Sequence, residues 1–139
     1  MILLDTNVLS EPLRVAPEPR VVAWIDAQPM ETLYLSAITV AEIRMGIASM
    51  PAGQSRERLR ERVEAEVLPR FAGRVLAFDW TATQPYADLI AQARARGVII
   101  GHFDGCIAAI ALANGLAVAS RDTAPFLAAG VPTINPWAL

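Results

Sequence analysis

FDGCIAAIALANGLAVASRD, residues 103–122, is the stretch on which the reading of this chain turns. Of its first eleven residues ten carry no charge, and the exception, Asp104, stands near the very start. A helix that is apolar all round is buried, so residues 103–114 read as a core helix. AVAS (117–120) then reads as a short strand, and Arg121 and Asp122 follow where the next helix begins. A buried helix feeding a short apolar strand is the grammar of an α/β domain with a mainly parallel sheet. It also poses a problem, because a buried carboxylate is costly unless it is paired, hydrogen-bonded or bound to a metal.

Working outward, the same alternation runs through the chain. ILLD (2–5) reads as a buried first strand, and Thr6, Asn7 and Ser10 supply capping and turn chemistry for a helix start. PEPRVVAWIDAQ (17–28) reads as a helix with prolines at its head. LYLS (33–36) is a second strand, followed by a helix through ITVAEIRMGIASM (38–50). Residues 53–70 are rich in arginine and glutamate, with Leu59, Val63 and Val67 forming one packing stripe; the opposite face is either solvated or touches RNA. VLAFD (75–79) is expected to be a third strand, TATQPYADLIAQARARG (81–97) a helix ended by glycine, RDTAPFLAAG (121–130) a short helix and PTIN (132–135) a last strand. No repeat or long linker interrupts this pattern, so the expectation is one domain over residues 1–139.

Composition narrows the function classes. The 139 residues are 54% hydrophobic and 19% charged, enough for a proper core and unlike a disordered chain. MILLDTN carries no basic leader, so no signal peptide is expected, and no apolar run is long enough to span a bilayer. The single cysteine, Cys106, is read as a core residue and closes no internal disulfide, which suits a reducing cytoplasm. All twelve basic residues are arginine, and the net charge is −2. The absence of lysine excludes every mechanism that needs a catalytic lysine. It argues against an aspartyl-phosphate phosphatase, in which Asn7 also stands where an acid/base Asp is wanted, and against a receiver domain. A dinucleotide site fails because DTNVLSEPL offers no glycine-rich turn.

Four carboxylates occupy informative places. Asp5 ends the first strand, where open α/β sheets put their ligands, though it could equally cap the following helix. Asp122 repeats this arrangement after AVAS, and taken alone it reads as a cap. Asp104 can accept backbone N–H bonds at the positive end of its helix, or be aimed into a cleft. Glu42 lies well inside its helix beside a stripe of Val40, Ile43, Ile47 and Met50, where capping cannot explain it. In a parallel sheet the strand ends and following helix starts share one edge. Carboxylates gathered there repel one another and resist ionisation. Bound Mg²⁺ or Mn²⁺ would reverse that penalty and support phosphodiester hydrolysis.

LLDTN (3–7), TVAE (39–42), the D-x-x-I-A-A of 104–109, the S-R-D-T-x-x-F of 120–126 and NPW (135–137) together resemble PIN-domain ribonucleases, most of all the VapC/FitB type of bacterial toxin–antitoxin pairs. The resemblance implies a three-layer sandwich with a central, mainly parallel sheet flanked by helices. It implies a Mg²⁺- or Mn²⁺-dependent endoribonuclease whose catalytic and metal-holding set falls on Asp5, Glu42, Asp104 and Asp122. Thr6 and Ser120 would orient a carboxylate or a water held by the metal, and Asn7 would support the first-strand loop. Also implied are a homodimer and a small cognate antitoxin, commonly of the ribbon-helix-helix type, through which the complex reaches operator DNA. Two departures stand out: VIIGHF (98–103) lacks the proline common before the third acidic motif, and position 122, Asn in many members, is Asp here.

The remaining residues read as structural. His102 is expected to make an ordinary hydrogen bond. Trp24, Trp80 and Trp137 are expected to be core or dimer anchors rather than base-stacking platforms. Arg121, the basic residue nearest the carboxylates, could touch a scissile phosphate or pair on the surface. The rival from another class is a PIN fold without activity that works only through protein contacts.

Overall fold

The computed structural model describes all 139 residues. Five short strands, β1 (Ile2–Leu4), β2 (Leu33–Ser36), β3 (Val75–Leu76), β4 (Ala117–Ala119) and β5 (Thr133–Ile134), form one sheet in the order β3-β2-β1-β4-β5, and every pairing is parallel. Seven helices flank it: α1 (Thr6–Ser10), α2 (Pro19–Ala27), α3 (Ala37–Ala48), α4 (Gln54–Glu61), α5 (Trp80–Ala95), α6 (His102–Asn114) and α7 (Ala124–Ala128).

The period-two alternation of strand side chains divides the core between the two faces. Leu3 and Val118 point to a cluster with Ala82, Leu89, Ile107, Ile110 and Phe126, supplied by α5, α6 and α7. Their chain neighbours Leu4 and Ala119 join Leu33 and Leu35 in a second cluster with Val8, Ile43, Ile47 and Val63. Helices therefore cover both faces, giving the three-layer sandwich that a parallel sheet of buried strands requires. Helix α6 packs tightly on α5: a Cβ added at Gly105 would stand 3.1 Å from Tyr86 Cε2 and 3.3 Å from Ile90 Cδ1. A larger residue there would need the Tyr86 and Ile90 side chains to give by a few tenths of an ångström.

Several sequence expectations are corrected. The third strand stops at Leu76, because Asp79 turns away to cap α5, accepting from Thr81 N at 3.0 Å and Thr81 Oγ1 at 2.6 Å. Phe78 then meets Tyr86 edge-on, with ring centroids 5.8 Å apart. Residues 53–70 are not one regular helix. After Glu61 the chain widens into a π turn over Arg62–Val67 and tightens to a 3₁₀ turn over Leu68–Phe71, where Pro69 has no N–H to continue an α-helix. Val63 is fully buried in this segment. Helix α6 is less enclosed than its sequence implies: Phe103 is 55% exposed, and Cys106 is only half-buried. Of the two roles expected of Trp80, core or dimer anchor, its 88% exposure removes the first. No helix is long and apolar enough to cross a membrane.

Candidate active site

The strand order reverses direction of growth between β1 and β4, the topological switch point at which open α/β sheets form their crevice. Leu4 and Ala119 are register partners, and the ladder continues as Asp5 N donates to Ala119 O at 2.9 Å. Asp5 and Ser120 thus emerge side by side at the carboxyl ends of the two central strands. Both are buried, and Ser120 Oγ donates to Asp5 Oδ2 at 2.7 Å. The other oxygen, Oδ1, accepts from Thr6 N at 2.8 Å at the start of α1. Asp5 therefore caps α1 through one oxygen while the other meets Ser120 at the strand ends, so its capping role leaves its place at the candidate site intact.

Ser120 is itself held in place. Its Oγ accepts from Asn7 Nδ2 at 3.2 Å and from Asp122 N at 3.1 Å, while Asn7 Oδ1 accepts from Arg121 N at 3.1 Å. One short network therefore ties the loop after β1 to the loop after β4. Asp122 does not cap α7, whose cap position is Thr123; its side chain is exposed on the rim.

Glu42 comes from α3, which begins where Ser36 Oγ accepts from Thr39 N at 3.0 Å. From the second turn of that helix it reaches the first-strand loop, where Thr6 Oγ1 donates to Glu42 Oε1 at 2.9 Å. Neighbouring Arg44 faces away and forks Glu64. Asp104 is the third residue of α6, whose cap position is Gly101, without a side-chain cap bond. The expected alternative role for Asp104 as a hydrogen-bonded cap is absent, so its carboxylate faces the site without a protein donor.

The electrostatics follow from this crowding. Burial, then the charges of Asp5, Asp122 and Glu42, push the Asp104 carboxyl up to about 6. Burial also raises Asp5, opposed by its bonds from Ser120 and Thr6, with the Asp122 charge adding to the rise. Glu42 is raised by burial and by Asp5 against the opposing Thr6 bond. No cation appears among the groups acting on these three carboxylates. Glu42, Asp104, Gly101, His102 and Phe103 line an open hollow of about 430 Å³.

An all-oxygen, mutually repelling set of this kind matches a hard divalent cation. No three of the carboxylates stand close enough to make a ready coordination sphere. Mg²⁺ does not require one, since it binds through one or two carboxylates and keeps several waters.

His102 opens α6 and lies with Nδ1 3.3 Å from Tyr86 Oη, an ordinary hydrogen bond of the kind its sequence setting predicts. The Arg121 guanidinium lies over the Trp137 ring, 5.3 Å from its centroid. One pair escaped the sequence reading: Glu11, 3% exposed, receives Arg14 Nη1 at 3.0 Å and 3.2 Å on its two oxygens. At i,i+3 spacing the pair looks like any surface ion pair; only the fold reveals that the carboxylate is buried.

Comparison with known proteins agrees with this architecture. The PIN domain family matches residues 2–131. The chain is 61% identical over 137 residues to the VapC ribonuclease Y4jK of Sinorhizobium fredii, covering 99% of this chain and 98% of that protein. It is 52% identical over 137 residues to Toxin FitB of Neisseria gonorrhoeae, covering 99% of each. The structure of FitAB bound to an IR36 DNA fragment superposes with a TM-score of 0.97 at 51% identity, covering 100% of this chain and 97% of that one. Fold, strand-end carboxylates and whole-chain likeness agree: the chain belongs to the PIN-domain family, among the VapC and FitB toxins.

Proposed function

We infer that this chain, a single PIN domain over residues 1–139, is an endoribonuclease that hydrolyses RNA phosphodiester bonds with Mg²⁺ or Mn²⁺, as the toxin half of a toxin–antitoxin pair. The observation that carries the reading is the meeting of Asp5, Glu42 and Asp104 at the switch point, with Asp122 on the rim, where their charges oppose one another and no cation offsets them. One or two of Asp5, Glu42, Asp104 and Asp122 would hold the metal directly and the others would act through its waters. The ion would supply a water-derived nucleophile at neutral pH and charge stabilisation for the phosphate. The chain's own contribution is orientation. Ser120 Oγ and Thr6 N fix both oxygens of Asp5, Thr6 Oγ1 fixes one oxygen of Glu42, and Asn7 steadies Ser120. Arg121, held at the rim over Trp137, is a candidate phosphate contact.

The partner in this reading is a small antitoxin, of the ribbon-helix-helix type, with operator DNA reached through it; the FitAB structure bound to a DNA fragment supports a partner and its association with DNA. A homodimer is part of the same reading, with the exposed Trp80 as its candidate anchor. The site of action is the cytoplasm, where the RNA substrate resides.

Purified protein with Mg²⁺ or Mn²⁺ is expected to cleave single-stranded RNA, and Asp5→Asn to reduce cleavage to the level of a no-enzyme control. Equal cleavage by both proteins would point to a contaminating nuclease and remove the reading's main support. Tight partner binding with no cleavage of any RNA would favour the purely protein-binding alternative.

A further inference from the structure

A chain of net charge −2 that gathers four carboxylates at its site must still attract a polyanion. Three arginines lie on the segments that build the site. Arg121, stacked on Trp137, leaves its guanidinium donors unspent at the rim, where it is the candidate for the scissile phosphate. The other two are separated by their hydrogen bonds. Arg44 spends its Nε and Nη2 on Glu64, at 2.8 Å and 3.0 Å. Arg14 is different: only Nη1 is engaged, by the two oxygens of Glu11. Its Nε and Nη2 have no protein acceptor, and together they form the planar two-donor edge that matches a phosphate.

The burial of the pair is just as uneven. The Glu11 side chain is 4% exposed and that of Arg14 61%, so the carboxylate is sunk in the protein while the guanidinium faces water. The carboxylate acts as a tether that fixes the cation's direction. That direction matters because Arg14 lines a hollow of about 300 Å³ that also contains Thr6 and Glu42, with Ile47 and Met50 along its apolar wall. The hollow thus places Arg14 in one cavity with Glu42 and with Thr6, the neighbour of Asp5.

We propose that Arg14, tethered by the buried Glu11, binds a backbone phosphate of single-stranded RNA flanking the scissile one. This rests on the endoribonuclease reading above. A strand whose scissile phosphate lies at Asp5 and Glu42 is carried into this hollow, where its bases meet the apolar wall and its backbone meets Arg14. Arg14 is then a substrate-positioning residue, distinct from the carboxylates that carry the chemistry.

The test measures steady-state cleavage of a labelled single-stranded RNA by the full chain over a series of salt concentrations, alongside RNA binding by fluorescence anisotropy in chelator. Arg14→Gln is expected to raise KM about tenfold with kcat within about twofold, as loss of one charge-assisted bond used equally in ground and transition states requires. The slope of log affinity against log salt should fall by about 0.7, the value for one phosphate contact on a single strand. Arg14→Lys should restore the slope while recovering only part of KM, since it returns the charge without the fork. Glu11→Gln should raise KM and leave the slope unchanged. Wild-type KM and slope in Arg14→Gln overturn the proposal, as does a variant impaired only in binding its antitoxin. Cleavage by wild type that is indifferent to Arg14 refutes this contact alone; absence of cleavage by wild type refutes the activity, while the anisotropy slope still reads the contact. Thermal melting of each variant separates a lost contact from a lost fold.

Discussion

Asp104→Asn separates a structural carboxylate from a functional one, and the structure fixes the sign of its effect. The Asp104 carboxyl rises from 3.8 to about 6 because folding buries it beside Asp5, Asp122 and Glu42. Taken at full strength, such a rise costs the folded, metal-free protein about 3 kcal/mol once the group is ionised. The carboxylate is only partly buried, and solvent screening reduces this to about 1.5 kcal/mol. Its place in the first turn of α6 works the other way, since the helix dipole favours a negative charge there by about 0.5 kcal/mol. With no cap hydrogen bond to lose, Asp104→Asn should stabilise the metal-free protein by about 1 kcal/mol at pH 7.5. The pH dependence follows from the raised folded value. Below the unfolded value of 3.8 the carboxyl is neutral in both states and the two proteins match. As pH rises through about 6 the wild type loses stability relative to the variant. Urea unfolding in chelator, repeated from pH 3.5 to pH 8, reads this difference. Adding Mn²⁺ should invert the order, because a ligand at a hundredfold its Kd stabilises the binding-competent wild type by about 2.7 kcal/mol. A variant less stable than wild type at pH 7.5 in chelator, or a difference that does not change with pH, would refute the reasoning.

Thr6→Val removes the O–H that donates to Glu42 Oε1 at 2.9 Å, a bond that holds the Glu42 carboxyl below the value its burial would otherwise impose. RNA cleavage should fall about 10- to 100-fold, as expected for a lost bond to a charged group, and the acid limb of the pH–rate profile should move to higher pH. A profile superimposable on wild type would show that the bond is dispensable. Gly105→Val forces a branched side chain against Tyr86 and Ile90, where a Cβ alone already stands 3.1 Å and 3.3 Å away. Its urea midpoint should report a loss of about 1–3 kcal/mol; unchanged stability would mean that α5 and α6 can separate without cost.

What the sequence discloses depends on how local each determinant is. The strand LYLS and the helix after it are legible because a buried apolar run and the cap at Ser36 act within a few residues. The end of β3 is not legible, because VLAF has the composition of a strand throughout, while the competing demand of Asp79 to cap α5 wins in three dimensions. The widened turn over Arg62–Val67 leaves no local mark beyond Pro69. Glu42 was recognisable as a candidate because a carboxylate in mid-helix has no capping role. Glu11 was not, because its burial is imposed by residues far along the chain.

The candidate site itself shows why four separated motifs can be read as one. Asp5 and Ser120 lie 115 positions apart, yet the pairing of β1 with β4 places them within a 2.7 Å hydrogen bond. That pairing joins the two halves of the sheet, between strands that are not consecutive in the chain, so the connections leaving β1 and β4 run to opposite sides and leave a crevice between the two strand ends. The residues following both strands must then bond to each other or to something bound between them. Ser120, Asn7 and Thr6 satisfy the backbone and orient the carboxylates, but none of them supplies positive charge. The topology thus creates the crevice, the hydroxyls and the amide hold its carboxylates in place, and the surplus negative charge is what the proposed cation would offset.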